Sequence, residues 1–185
     1  DLKGLLKAAY YDPNPVVFLE HKGLYWSKVK GTDFAKVNEP SEDYILPFGK
    51  ANIVQEIWEQ ETGETMSIIT YGMGVHWALN ASKKMKEKVE IIDLRTLYPL
   101  DEETILKSVR KTKKCLVVTE EPTNNSFARS LAGMIQEKCF KNLDAPVMVI
   151  GSENMPAIPL NSILEQTMIP SSDKVKEKIK ELLNY

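Results

Sequence analysis

Apolar and polar positions along the second two-thirds of this chain follow two rhythms in turn, one of period two and one of helical period. Thr65 to Tyr71 reads as a strand and Gly74 to Met85 as a helix. Val89, Ile91 and Ile92 form a short β-branched run that ends in the charged pair Asp93 and Arg95. Pro99 then breaks the chain, and Asp101 stands where a helix N-cap belongs. Ile105, Leu106 and Val109 repeat at helical spacing, while Lys107, Arg110 and Lys111 crowd the C-terminal turn, where cations suit the dipole. Cys115 to Thr119 is a further buried strand, closed by Glu120, Glu121 and Pro122. Strand, helix and strand in succession make a βαβ unit, and that unit predicts a parallel sheet.

The rhythm continues to the end of the chain. Ser126 caps a helix whose Phe127, Leu131, Ile135 and Cys139 share one face, and Pro146 to Ile150 is the next strand. Pro156 and Pro159 mark a loop, Leu160 to Glu165 a short helical turn. Ser171 or Ser172 then caps a terminal helix that turns Val175, Ile179, Leu182 and Leu183 to the core.

The first fifty residues behave differently. Leu2, Leu5, Leu6 and Ala9 form a helical stripe, and Asp12-Pro13-Asn14-Pro15 breaks it before a buried strand expected over Val16 to Leu19. One helix and one strand cannot cover both faces of that strand. Residues 1–25 therefore read as the edge of another domain, and the chain as a piece of a longer polypeptide. Residues 26–51 have poor periodicity and scattered glycine and proline. They read as an interdomain linker, ordered because Trp26, Phe34, Tyr44, Ile45, Leu46 and Phe48 need something to pack on. Neither an internal repeat nor a low-complexity segment is present.

The string IIDLRTLYPLDEETILKSVRKT, closed by LVVTEE, resembles the C-terminal domain of the E1 β subunit of 2-oxo acid dehydrogenases, thiamine-diphosphate enzymes of the transketolase superfamily. DLKGLLKAAYYDPNPVVFLEHKGLY and LPFGKANIV are similar to the end of that subunit's pyrimidine-binding domain and the entry to its C-terminal domain. IQEKCFKNLDAPV and KIKELLNY extend the match to the end. The resemblance implies a three-layer αβα fold of transketolase C-terminal type, with a mostly parallel sheet. It divides the chain into a remnant of the pyrimidine-binding domain (1–25), a linker (26–51) and a transketolase C-terminal-like domain (52–185). Two segments depart from the family pattern. Asn125-Ser126-Phe127-Ala128-Arg129 stands where the family has a Gly-Phe-Gly-Ala-Glu lead, and the Gly151 to Pro159 loop lacks an Asp before its first proline. Both point to a divergent branch, such as an E1 with α and β parts fused.

Composition excludes more than it identifies. The chain has 185 residues, 43% hydrophobic, enough for one core, and its net charge of -2 gives no reason to expect nucleic acid or an anionic membrane. No run is long enough to span a bilayer, and no signal-peptide pattern opens the chain. Cys115 and Cys139, the only cysteines, read as small core hydrophobes rather than a disulfide or ligands, which suits a reduced cytoplasm.

Candidate chemistry is thin. Tyr71-Gly72-Met73-Gly74 joins strand to helix where amides can cradle an anion, but no third glycine follows, so the glycines read as a tight turn. His76 in the helix's first turn reads as a surface or interdomain hydrogen bonder. Glu20 and His21 follow a predicted strand, where ligands gather in α/β sheets, yet match neither the family's cofactor-activating glutamate nor its active-site histidine. They are expected to contact the linker or a neighbouring subunit. Glu120 and Glu121 read as the end of a strand. The two histidines and two cysteines assemble no catalytic triad and no metal cluster.

The resemblance implies that thiamine diphosphate and Mg2+ belong to the full-length parent, held by domains outside this chain, so no catalytic, cofactor or metal residue is assigned here. The chain alone is expected to be inactive. The implied role is assembly and docking, with an E1 α subunit or fused α region, a second β subunit, and the small basic subunit-binding domain of the dihydrolipoamide acyltransferase as partners. Asp144 and the carboxylate of Tyr185 are the candidate docking groups, against the plainer reading that Asp144 caps a turn and Tyr185 packs on the last helix. The alternatives are a transketolase or deoxyxylulose-phosphate synthase domain, and a non-enzymatic α/β interaction module.

Overall fold

A computed structural model describes residues 1–25, 29–58 and 64–185. Strands β1 (Asn52–Gln55), β2 (Met66–Thr70), β3 (Val89–Asp93), β4 (Cys115–Pro122) and β5 (Met148–Ser152) form one sheet in the order β1-β3-β2-β4-β5. The inner pairings β2–β3, β2–β4 and β4–β5 are parallel, and only β1 runs against its neighbour β3. Among the described residues seven α-helices accompany the sheet: α1 (Leu2–Tyr11), α2 (Lys22–Tyr25), α3 (Met73–Ala81), α4 (Glu102–Thr112), α5 (Phe127–Cys139), α6 (Ser162–Met168) and α7 (Ser172–Leu183).

The pleat sends neighbouring residues to opposite faces, and the two halves of the core follow from it. Ile68, Ile91, Leu116 and Val118 meet Trp77 of α3 and Val175, Ile179 and Leu182 of α7 on one face. Ile69, Ile92, Cys115 and Val117 meet Ile105 and Val109 of α4 and Leu131, Ile135 and Cys139 of α5 on the other. Strands covered on both sides are near-continuous apolar runs, as buried parallel strands are, interrupted here by buried polar residues such as Ser67, Thr70 and Glu90. The result is the three-layer αβα arrangement with a mostly parallel sheet. Both cysteines are free and buried in the second half of the core.

The helix ends carry their own signals. Asp101 accepts from the Thr104 amide at 3.2 Å and caps α4, Ser126 accepts from the Arg129 amide at 3.2 Å, and Ser171 caps α7 through the Lys174 amide. Lys113 closes α4 in the left-handed region and donates its amide to the Val109 carbonyl.

Several sequence expectations need correction. Val16 to Leu19 forms no strand. A strand exists through its ladder, no strand of this sheet lies beside those residues, and Val17 is 85% exposed. The helix expected to run to Met85 ends at Ala81, where Ser82 turns the chain, and the exposed Lys83 and Lys84 offer it no apolar face. β5 begins at Met148 and extends to Ser152, β4 extends to Pro122, and α6 spans Ser162–Met168 rather than Leu160 to Glu165. The four residues of β1 and of α2 were too short for any periodicity to announce. In the 26–51 segment Leu46 is buried, whereas Phe34 and Ile45 are half exposed, and Trp26 lies outside the described residues.

Helix α1 rests on this segment through a glycine. A Cβ at Gly4 would lie 2.8 Å from Leu46 Cβ and 2.9 Å from its backbone nitrogen, so only glycine permits the approach. Leu46 N donates to Gly4 O, and Arg95 grips the Asp1 carboxylate with two nitrogens at 2.8 and 2.9 Å. Among the described residues no helix is long and apolar enough to cross a membrane.

Candidate functional site: the strand-end crevice and the opposite edge

β2 leads through α3 to β3 on one side of it, whereas β4 leads through α5 to β5 on the other. The chain therefore reverses its winding between β2 and β4. At such a reversal the two outgoing helices lie on opposite faces and leave a crevice beyond the strand ends, the usual ligand position in open α/β sheets. Here the chain's own side chains occupy it.

Tyr71, just past β2, donates to Glu121 Oε1 at 2.6 Å and lies 2.8 Å from Thr119 Oγ1 on β4. Glu121 Oε2 in turn accepts from the Phe127 amide at 2.9 Å, in the first turn of α5. The carboxylate thus holds the helix end that an anionic ligand would seek. Burial first, and donation to Glu121 second, push the Tyr71 hydroxyl above its ordinary value, so it serves as a donor and not as a base.

Glu120, beside it, pairs with His21 at 3.4 Å. His21 thus lies against the end of β4. Glu20 faces the Tyr25 hydroxyl, which that hydrogen bonding holds above its ordinary value. His76 is also a correction: it is buried, only 5% exposed, with Phe34 edge-on and Nδ1 without a partner among the described residues. Burial, and then the charge of the nearby His21, hold it below the ordinary histidine value, in the neutral form.

The glycines have structural duties. Gly72 takes φ +55, and a Cβ at Gly74 would meet Thr70 Oγ1 and lie 3.3 Å from the Val118 carbonyl. Of the departures from the family pattern, Asn125 at the first glycine position has φ 54, a conformation asparagine tolerates best among non-glycine residues.

Asp93 ends β3 and receives a bond from the Arg95 amide at 3.2 Å. Burial raises its pKa, against the lowering effects of that bond and the Arg95 charge. A raised carboxyl adds stability that is complete below its unfolded pKa of about 3.9 and is lost as pH rises through the folded value. Asp93→Asn removes the ionisation while keeping an acceptor for Arg95. The variant is expected to melt a few degrees above the natural chain at pH 7 and level with it near pH 4. Thermal scans across that range check this, and a lower melting point at pH 7 would refute it.

Asp144 and Tyr185 lie at the opposite edge, where β4 begins. Both are exposed. The Asp144 amide donates to the Lys113 carbonyl at 2.9 Å, and its carboxylate caps no turn among the described residues. Tyr185 is 66% exposed, and its amide reaches the Leu182 carbonyl of α7. Lys114, which the sequence reading passed over, lies beneath them with a side chain only 4% exposed, bonded to Glu64 and to the Leu183 carbonyl. A lysine placed directly before a buried strand was the available signal.

Comparison with known proteins accords with this geometry. The chain is 38% identical over its whole length to the 2-oxoisovalerate dehydrogenase subunit beta of Bacillus subtilis (strain 168), covering 54% of that protein. It is 40% identical over 98% of its length to the pyruvate dehydrogenase E1 component subunit beta of Acholeplasma laidlawii, covering 52%. It thus spans about half the length of the curated relatives it matches. A split-gene transketolase, solved as an inactive beta4 tetramer, superposes with a TM-score of 0.61 at 20% identity, over 80% of this chain and 47% of that one, and shows the fold. The family model for the transketolase C-terminal domain covers residues 55–175, from β1 into α7, and the chain belongs to that family, homologous throughout to the C-terminal part of E1 β subunits.

Proposed function

We propose that this chain is the assembly and partner-docking domain of a thiamine-diphosphate-dependent 2-oxo acid dehydrogenase E1, with residues 1–25 a remnant of the pyrimidine-binding domain and 26–51 the connection. Such an enzyme decarboxylates a 2-oxo acid and passes the acyl group to lipoamide. Its cofactor supplies the carbanion chemistry, and the protein binds and orients. The residues present here do not fit the cofactor's diphosphate. The strand-end crevice offers Glu120 and Glu121, whose charge repels it, and both carboxylates are engaged.

The observation that carries the reading is a contrast between two edges. The polar groups at the strand ends are tied to one another, while Asp144 and Tyr185 stand exposed at the other edge. The acidic Asp144 there suits the basic subunit-binding domain of a dihydrolipoamide acyltransferase, with Tyr185 beside it as the second docking residue, and charge complementarity of this kind speeds association and makes it salt-sensitive. The E1 α subunit or fused α region and a second β subunit are the remaining partners. The unpaired buried thiols of Cys115 and Cys139 suit a reducing cytoplasm.

The test is calorimetric titration of full-length E1 with the isolated subunit-binding domain at low and high salt. Asp144→Asn is expected to weaken binding about tenfold, roughly 1.4 kcal/mol, and to flatten the salt dependence. Removal of Tyr185 should act in the same direction. Unchanged affinity in a variant carrying both changes would sink the docking reading.

A further inference from the structure

We propose that His21, His76 and Glu120 form an acid-sensitive latch, which holds α2 against the sheet at neutral pH and releases it in mild acid. The chain has two histidines, and the fold brings them together from distant segments. His21 opens α2: its carbonyl accepts the Leu24 amide at 3.0 Å, and Leu24 packs against the half of the core that holds Trp77. His21 Nε2 lies 3.4 Å from Glu120 Oε2 at the end of β4. His76 comes from the first turn of α3, buried, with the Phe34 ring edge-on at 6.3 Å between centroids.

This contact suits neutral rings and tolerates one charge at most. Nδ1 of each histidine is buried without a partner among the described residues. A protonated imidazole carries an N–H at that position, and a buried donor without an acceptor is costly. Glu120 can offset a charge on His21 through the opposite nitrogen, Nε2. His76 has no such help: among the described residues the charge acting on it is that of His21, of like sign. Glu20, beside His21, is turned to the Tyr25 hydroxyl, and Asn80 of α3 donates to the His76 carbonyl and brings no charge. From the 26–51 segment the uncharged Phe34 faces it. Burial, and then the His21 charge, keep His76 neutral while the contact is closed. A base held below its ordinary value stabilises the closed form fully above about 6.5. That stability is withdrawn as pH falls below this value, because the released form binds a proton that the closed one refuses. Release carries both rings into water, where Nδ1 finds a partner.

Hydrogen exchange on the full-length protein tests the latch, read at peptides from residues 17–25 and from the start of α3 and corrected for the intrinsic effect of pH. Opening is expected to rise about tenfold per unit as pH falls below about 6.5, while β2 and β4 keep their protection. His76→Gln has no ring to protonate and should stay closed across the range. His21→Gln keeps a donor for Glu120 and removes the like charge, so it should shrink the response without abolishing it. Opening that does not change with pH, or a response that persists unaltered in His76→Gln, would overturn the proposal. The NMR titration of the His76 ring in the natural protein keeps the test decisive if the variant misfolds. It is expected to coincide with the loss of protection, and a ring that titrates while α2 stays protected would equally sink the latch.

Discussion

Lys111→Met is expected to lower the stability of this chain by about 3 kcal/mol, and the melting temperature by roughly 6–12 °C. Glu90 lies on β3 with its side chain 1% exposed, among the least accessible charges of the fold. Its carboxylate accepts from Lys111 Nζ and, at 3.3 Å, from the Ile57 amide, while Lys111 also donates to the Ile57 carbonyl at 3.2 Å. Methionine fills the volume of the lysine stem but leaves the carboxylate without its cation. An unpaired buried charge costs more than the pair contributed, which is why breaking such a pair by one partner is severe. Lys111 retains 22% exposure, and the figure is therefore taken from the low end of the known range. Adding Glu90→Gln removes the stranded charge and still accepts from Ile57, so the double variant should regain most of the loss. Denaturant titration of the two single variants and the pair measures this. A loss under about 1 kcal/mol in Lys111→Met would mean that water reaches Glu90.

Gly74→Ala is the second large effect, about 2–3 kcal/mol of destabilisation. The added methyl falls on Thr70 Oγ1, which cannot retreat freely because it donates to the Val118 carbonyl at 2.9 Å. Helix α3 would have to lift from the sheet, disturbing Trp77 and Ala78 in the core below. The cause is steric, so Thr70→Ala should partly rescue it. The double-mutant cycle is expected to be non-additive by about 1 kcal/mol, and strict additivity would refute the contact.

These two positions illustrate what the sequence made legible. The α/β alternation, the helix caps at Asp101, Ser126 and Ser171 and the faces of α4, α5 and α7 all follow from local signals of periodicity and capping. Gly74 was identified as a turn residue, yet its closeness to Thr70 depends on the tilt of a helix and has no pattern of its own. Glu90 interrupts the apolar run of β3, but the run does not say that a lysine twenty-one residues later neutralises it.

The expected strand at Val16 to Leu19 failed for the converse reason. β-branched residues favour an extended conformation, but a strand is a relation between segments, and no local signal reports the absence of the partner. Position at a strand end did mark Glu120, Glu121 and His21 for attention. What it could not tell was that each would find a partner within the chain. Asp144 and Tyr185 came from the family resemblance and not from periodicity, and the docking titration decides their role.

The two borders of the sheet have unequal futures. β1 is four residues long, runs against β3 and shifts register between Ile53 and Gln55. A short, bulged border is a poor template for another strand. β5 is guarded less, since the register shift of its pairing, between Val118 and Pro122, lies against β4 and not on its outer side, where nothing pairs among the described residues. Any assembly that lengthens this sheet, whether a native partner or an aggregate, therefore has one direction of growth, and mutations that add charge to Met148–Ser152 are the natural brake on it.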